Sequence, residues 1–462
     1  VTAFALDPQQ REWCATLRAI AAEQLRPLAA RCDPGRVNRP LVAALGESGL
    51  LRRLFPLDGQ APVRALDLCL LRESLARECT QAETALALQG LGCYPVVQSG
   101  TPEQRARWLP EVVAGRAVAA FALSEPGAGS DAAALTLAAE PAGARSGPRG
   151  GPRGSAGLAG RVGRDHPVGG VAAGGEEAGG ADENGAGDTG PVGSTGPAGL
   201  AGCVGRTGTA GRVGRTDGPG RAQSTGVSRA AGWRLTGEKC WISNAPEADF
   251  YTVFARTTPG AGSRGITAFL VPADRPGLTG EHLDMLSPHP IGRLFFDAVP
   301  VTRADVLGEV DAGFQVAMRT LNLLRPSVGA FAVGMARSAL DLALAHAKER
   351  TAFGGPLKDL QAVAHQLAEM ATRTEAAQLL VYAAASAHDA GESGIARRSA
   401  MAKLLATETA QYVVDAAVQI HGARALERGH PLEHLYREVR APRIYEGATE
   451  VQRTIIAKEL YR

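Results

Sequence analysis

Net charge, long apolar runs and paired cysteines are all scarce in this chain of 462 residues. Lys and Arg number 49 against 47 Asp and Glu, a formal charge of +2, so no excess of one sign draws the chain to nucleic acid or to an anionic lipid surface. Any anion it binds must be held by a local cluster. No uninterrupted run of eighteen apolar residues occurs, so neither a membrane-spanning helix nor a membrane partner is expected. The seven cysteines are odd in number and form no Cys-x-x-Cys pair, and we read them as buried thiols, neither disulfide partners nor zinc ligands, with no metal site. Residues Asp7 to Cys32 alternate acids, bases and apolar residues at helical spacing, without the apolar core of a secretory signal. The expectation is a reducing, cytoplasmic setting.

What remains is the composition of an ordinary globular protein, 45% hydrophobic and 21% charged, in a chain longer than one core usually organises. From Pro8 to about Gly115 apolar residues recur every three or four positions, as in Trp13, Leu17, Ile20 and Leu25 and again in Leu66, Leu68, Leu71 and Leu75, which predicts amphipathic helices. Between Val118 and Val306 the pattern shortens to runs such as Tyr251–Ala255, Ile266–Val271 and Leu294–Phe296, bounded by Gly, Pro or Asp, which predict strands. From about Gly313 the helical period returns, punctuated by Pro326, the Gly354–Pro356 turn, Gly391 to Gly394 and Gly429 to Pro431. The expected fold class is α+β: an N-terminal all-α domain over 1–117, a central β-barrel-like domain over 118–305 and a C-terminal four-helix bundle over 306–462.

Residues 141–231 break this plan, with 28 of the 57 glycines and almost no large apolar side chain. Glycine falls at every third position from Gly151 to Gly163 and from Gly187 to Gly214, in one phase, as in collagen, yet the second run holds only Pro191 and Pro197. A flexible low-complexity insertion is favoured over a triple helix, and an artefact of the nucleotide record is a third reading. Without it, Leu135–Glu140 and Gly232–Thr236 become two strand-like pieces that can pair as a hairpin with the insertion at its tip. A loop tolerates such length because its closure entropy grows only with the logarithm of its size.

The segment most informative about chemistry is Arg443–Arg453 (RIYEGATEVQR), which sets Glu446 in a short Gly-bounded stretch between two helical patterns. Alone, a Glu beside a Gly is a solvated loop residue. Its company is Phe121–Asp131 (FALSEPGAGSD), Gly237–Asn244 (GEKCWISN), Glu349–Gly354 (ERTAFG) and Gln419–Gly422 (QIHG). In that order and spacing the five segments resemble the acyl-CoA dehydrogenase family of flavoproteins, over everything but the Gly-rich insertion.

The resemblance implies FAD as cofactor, an acyl-CoA substrate, an electron-transfer flavoprotein as electron acceptor and a homo-oligomer, a dimer of dimers. It makes Glu446 the base that removes a proton next to the thioester carbonyl, and a carboxylate shielded from water has its pKa raised towards working pH. Backbone N–H beside it, at Gly447, would meet the thioester oxygen, with Tyr445 alongside. Leu123, Ser124 and Ser130 would line the flavin and the thioester end of the substrate, Trp241 would flank the flavin ring and Ser243 its polar edge. Arg350, close before Phe353, would fork onto the flavin diphosphate, and with Gln419 and Gly422 would reach the flavin of a neighbouring subunit. Asn322 and Arg325, on one helix face, would lie near the thioester and CoA portion, and Glu450 near the cofactor.

The chain departs from the family pattern at several points. Ala448 stands where a Thr is typical, removing one hydroxyl contact to the flavin; Gly422–Ala425 replaces a glycine-richer loop; Asn322 sits where an acid is common. Leu324, on the helix that supplies the base in some branches, cannot act as one, which leaves Glu446. Two other functions share these features: different flavin chemistry on the same scaffold, as in an oxidase or a desulfinase, and a non-catalytic binding or assembly protein with a vestigial flavin site.

Overall fold

Helices come first because the N-terminal third carries the apolar stripe of a helix and the capping residues that start one. The computed structural model describes residues 6–55, 63–143 and 232–461. The readings of residues 144–231 lie outside these. Helices α1 (Pro8–Ile20), α2 (Arg26–Ala29), α3 (Arg39–Glu47), α4 (Ala65–Glu78), α5 (Thr80–Ser99) and α6 (Pro102–Val113) fill the first part. Reciprocal side-chain and backbone bonds at Asp7 with Gln10, and at Thr101 with Gln104, satisfy orphan N–H groups where α1 and α6 begin.

Strands β1 (Ala119–Ala122), β2 (Ala138–Pro141), β3 (Trp233–Ser243), β4 (Phe250–Arg256), β5 (Ile266–Pro272), β6 (Leu278–His282), β7 (Ile291–Val301) and β8 (Val306–Leu307) form one eight-stranded sheet in the order β6-β7-β3-β2-β4-β5-β8, with β1 parallel to β4. The expected hairpin is present: Ala138 pairs with Thr236 and Pro141 with Trp233. It begins three residues later than the alternation suggested. Leu135 and Leu137 are buried ahead of the strand, their carbonyls bonded by Arg256 side-chain and backbone N–H groups at 3.0 and 2.8 Å.

Helix α5 is laid directly on β1. A Cβ on Gly92 would come within 2.6 Å of the Ala119 backbone, so this crossing requires glycine. Buried Gln89 completes the join, donating to Ala117 O at 2.7 Å and accepting from Ala119 N at 2.8 Å.

The C-terminal part holds α7 (Gly313–Glu349), a two-stranded turn of β9 (Thr351–Ala352) and β10 (Gly355–Pro356), then α8 (Gln361–Asp389), α9 (Ile395–His421), α10 (Pro431–Glu438) and α11 (Thr449–Leu460). Helices α7, α8 and α9 pack along one another, α4 lies along α7, and α11 lies on α9. One expectation is corrected here. Pro326 does not break its helix: α7 runs through it, because packing of the buried stretch from Leu324 to Ala336 outweighs one lost backbone hydrogen bond. By length and mean hydropathy α7 is also long and apolar enough to cross a membrane, although it contains no unbroken run of eighteen apolar residues; 67% of its apolar window is buried inside the protein, as in a core helix. Cys14, Cys69, Cys79, Cys93 and Cys240 are buried free thiols, whereas Cys32 is half-buried.

Because Ala142 N already donates to Gly232 O at 2.7 Å, the two ends of the segment 144–231 are one hydrogen bond apart. Replacing it by a turn of about two to four residues should leave the melting temperature within about 3 °C and the flavin content unchanged, checked by thermal melts and visible absorbance. Loss of either would give the segment a structural role.

Candidate active site

Glu446 lies in the turn between a short 3-10 segment, Ala441–Arg443, and α11, with φ of +50° followed by Gly447 at +94°. Two consecutive left-handed residues reverse the chain sharply, and a side chain at Gly447 would be both strained and within 2.3 Å of Gln452. Helix α9 holds the turn from below. Lys403 Nζ, fully buried, donates to Gly447 O at 2.7 Å and to Tyr445 O at 3.2 Å. Glu408 takes Arg443 Nε at 3.0 Å and Thr449 Oγ1 at 2.9 Å, one on each side of the Glu446 turn. Ala448 occupies the N-cap of α11 and supplies no side-chain cap.

The carboxylate is half-buried, and its Oε2 is out of contact with water and has no hydrogen-bond partner. Burial raises its pKa, against the opposing fields of Arg72, Lys403 and Arg325. Arg72 on α4 is itself buried, bonded to Glu83 on α5 and to Ser327 Oγ at 2.7 Å. Burial pushes Glu83 up to about 7 and Lys403 down to about 8. The fields of three cations therefore act on one carboxylate whose proton affinity is nevertheless raised, which is the direction a general base needs.

Arg325 is half-buried on α7, donates to Asn322 Oδ1 at 3.0 Å and keeps its Nε unpaired. The three-residue spacing read from the sequence puts the two side chains in contact.

The second grouping is on the sheet. Leu123 is buried, Ser124 half-buried and Ser130 exposed, on the turn that follows β1. Cys240 N donates to Ser124 O at 3.0 Å, which brings the Trp241 and Ser243 segment beside that turn. Trp241 sits at a register slip of β3 against β7, at φ +57°, its indole 47% exposed. Ser243 is half-buried. Asn244, at the end of this segment, lines a cavity of about 130 Å³ together with Thr84, Leu88, His289, His434 and Arg437.

The third grouping gathers at the far ends of α7 and α9. His346 stacks on His421 with ring centroids 4.1 Å apart, which brings Arg350 and Phe353 near Gln419 and Gly422. All four of these are exposed, Phe353 by 93% at φ +54°. Glu450 is exposed on α11.

Sequence reasoning missed Lys403 and Arg72. Lys403 is a lone cation in the otherwise apolar stretch Ala400–Ala406, and that isolation is the signal that could have found it; Arg72 is followed directly by Glu73 and Ser74 and carries no such signal.

Models of the acyl-CoA dehydrogenase N-terminal, middle and C-terminal domains match residues 7–116, 215–299 and 311–461. The chain belongs to the acyl-CoA dehydrogenase family, FAD-dependent oxidoreductases that act on CH–CH donors. It is similar to the mitochondrial short-chain specific acyl-CoA dehydrogenase of Bos taurus, 31% identical over 456 residues, covering 97% of this chain and 89% of the relative. It is 28% identical to the cyclohexane-1-carbonyl-CoA dehydrogenase of Geobacter metallireducens, over 97% and 96% of the two chains. Among solved structures, butyryl-CoA dehydrogenase from Megasphaera elsdenii superposes with a TM-score of 0.74 at 26% identity, each chain covered completely.

Removing the Lys403 charge takes away one of the three fields that oppose burial at Glu446. In Lys403→Met the acidic limb of the rate profile should therefore move to higher pH, since the base must lose its proton to act. The orphaned carbonyls of Tyr445 and Gly447 should also cost about 1–3 kcal/mol of stability. A pH–rate profile and a denaturant titration check the two effects separately, and an unmoved acidic limb would remove Lys403 from the control of the base.

Proposed function

We propose that the chain is an FAD-dependent acyl-CoA dehydrogenase that places a double bond between the α and β carbons of an acyl-CoA thioester. The observation that carries this reading is Glu446: a half-buried carboxylate on a left-handed turn, with an unpartnered oxygen and a proton affinity raised by burial against the fields of three cations. Such a group takes a proton from carbon once the neighbouring carbonyl stabilises the charge left behind. Glu446 removes the α proton, and the turn keeps the carboxylate at one place while it does so. Backbone N–H of the same turn is the donor this chain offers the thioester oxygen as negative charge grows there. Arg325, with its free Nε, adds positive charge on the same side.

FAD, when bound, supplies the acceptor for the hydride that leaves the β carbon, at its ring N5. The residues present fit that cofactor. The exposed indole of Trp241 offers a flat apolar wall, and Ser124 and Ser243 offer hydroxyls that are neither fully buried nor fully solvated. Arg350 has the fork geometry for the diphosphate, and its position at the exposed end of α7 beside Gln419 and Gly422 suits a cofactor shared between two subunits. That sharing requires at least a dimer, and the family resemblance extends it to a homotetramer, a dimer of dimers. Exposed Leu286, Leu405, Tyr436 and Ile444 near a groove on the outer face of α9 and α10 give the oligomer an apolar surface to cover. Electrons leave the reduced cofactor to an electron-transfer flavoprotein.

Glu446→Gln keeps the shape and removes the base. The variant should retain its flavin and lose at least about a thousandfold in the rate of flavin bleaching by acyl-CoA under anaerobic conditions. The panel of thioesters should include butyryl and cyclohexane-1-carbonyl, the acyl types named among the relatives, and extend to long straight chains. Near-normal bleaching in the variant would sink the assignment of the base, and a yellow parent that no thioester bleaches would point to other flavin chemistry.

A further inference from the structure

Among the described residues, the most completely buried ion pair outside the Glu446 cluster lies between two of the motifs, in side chains to which no role has been given. Lys239 is 0% exposed and Glu125 4%, and their Nζ and Oε1 are 2.9 Å apart. Lys239 also donates to Leu123 O at 2.9 Å. Glu125 accepts from Leu137 N at 2.9 Å through Oε1, and from Thr136 N and Oγ1 at 2.6 and 2.8 Å through Oε2. The hydrogen bonds of the pair thus go to the turn that follows β1 and to the residues just ahead of β2.

A buried pair of this kind is a poor way to gain stability. Replacing such a pair by apolar side chains of similar volume is often neutral or favourable, since desolvation of both charges offsets most of their attraction. What the pair supplies is direction. On one side it fixes the carbonyl of Leu123, and the next carbonyl, Ser124 O, is taken by Cys240 N at 3.0 Å. On the other side it pins β3 at Lys239, where the register against β7 begins to slip, two residues before Trp241 with its φ of +57°. Beyond the slip Asn244, itself at φ +64°, donates from Nδ2 to Ala119 O at 2.9 Å. The bulge that turns the Trp241 indole outwards is therefore clamped before and after, and both clamps close on Ala119–Glu125.

We propose that Lys239 and Glu125 are a positioning pair for the cofactor face: they hold the Leu123–Ser124 turn and the Trp241 bulge at one spacing before any cofactor arrives. This rests on the flavin reading given above. A preformed face binds more tightly because less must be ordered on binding. Neither side chain touches the reacting atoms in this role; both act through the backbone they hold.

The test is the double variant Lys239→Met/Glu125→Gln, which removes both charges together and leaves no lone buried ion. Two quantities are read. In the cofactor-free protein, acrylamide quenching of the Trp241 emission, isolated by difference from a Trp241→Phe protein, should change by about twofold or more as the bulge loosens. In FAD titrations followed by flavin fluorescence, affinity should fall at least about tenfold. Glu125→Asp keeps both charges and shortens the arm by one methylene, so it tests the same distances in a protein that retains its ion pair; it should lie between parent and double variant in both readouts. Parent-like quenching together with parent-like FAD affinity in both variants would overturn the proposal. If the parent binds no FAD, the flavin reading fails by that result alone, while quenching of the cofactor-free variants still decides whether the pair holds the bulge.

Discussion

The arrangement turns on one constraint: a carboxylate has to be kept where water scarcely reaches one of its oxygens, yet be able to lose its proton. For the base proposed above, burial alone raises the proton affinity of Glu446 and full ion pairing would lower it, and the role needs a balance of the two. The intermediate condition comes from three cations on three different helices, Arg72 on α4, Arg325 on α7 and Lys403 on α9, none of which donates a hydrogen bond to its free oxygen. Their own hydrogen bonds go elsewhere, to Glu83 and Ser327, to Asn322, and to the carbonyls flanking Glu446. They act on it as a field and not as partners. A field of that kind depends on distances, and the packing of α4, α7 and α9 against one another sets those distances.

Much of this was legible in the sequence. The change of hydrophobic period from helix to strand and back gives the layered order, and the spacing of five short segments leads to the family. The pairing of residues on either side of the Gly-rich stretch was readable from two broken pieces of alternation, because a strand's face pattern survives an insertion in its connecting loop. Other features were not readable. Pro326 looks like a helix end, and only the burial of the residues after it explains why α7 continues. Lys403 looks like a stray charge in an apolar stretch, and Arg72 like one charge among several on its helix, until the chain is folded, since what makes them useful is their approach to a residue 43 and 374 positions away. Lys239 and Glu125 sit inside motifs whose neighbours attract attention, and a one-dimensional reading has no reason to pair them.

Local strain separates the residues that matter from those that merely sit nearby. Among the described residues six that are not glycine have positive φ: Trp241, Asn244, Ala298, Asp311, Phe353 and Glu446. Each costs free energy, of order 1–3 kcal/mol, and such a conformation persists only where the surroundings dictate it. Trp241, Phe353 and Glu446 are also residues that sequence motifs single out for the cofactor or the base, and Asn244 closes the clamp beside Trp241. The supports differ in kind. Glu446 is held by a buried lysine and by Glu408 from the helix beneath, Trp241 by a sheet bulge fixed at both ends, and Phe353 stands on a two-stranded turn, 93% exposed, with little of its own chain around it. A bulky aromatic side chain held in a costly conformation and left in water is poorly accounted for by this chain alone. On the shared-cofactor reading proposed above, a surface supplied from outside, by a second subunit or by the cofactor it carries, would account for both the strain and the exposure.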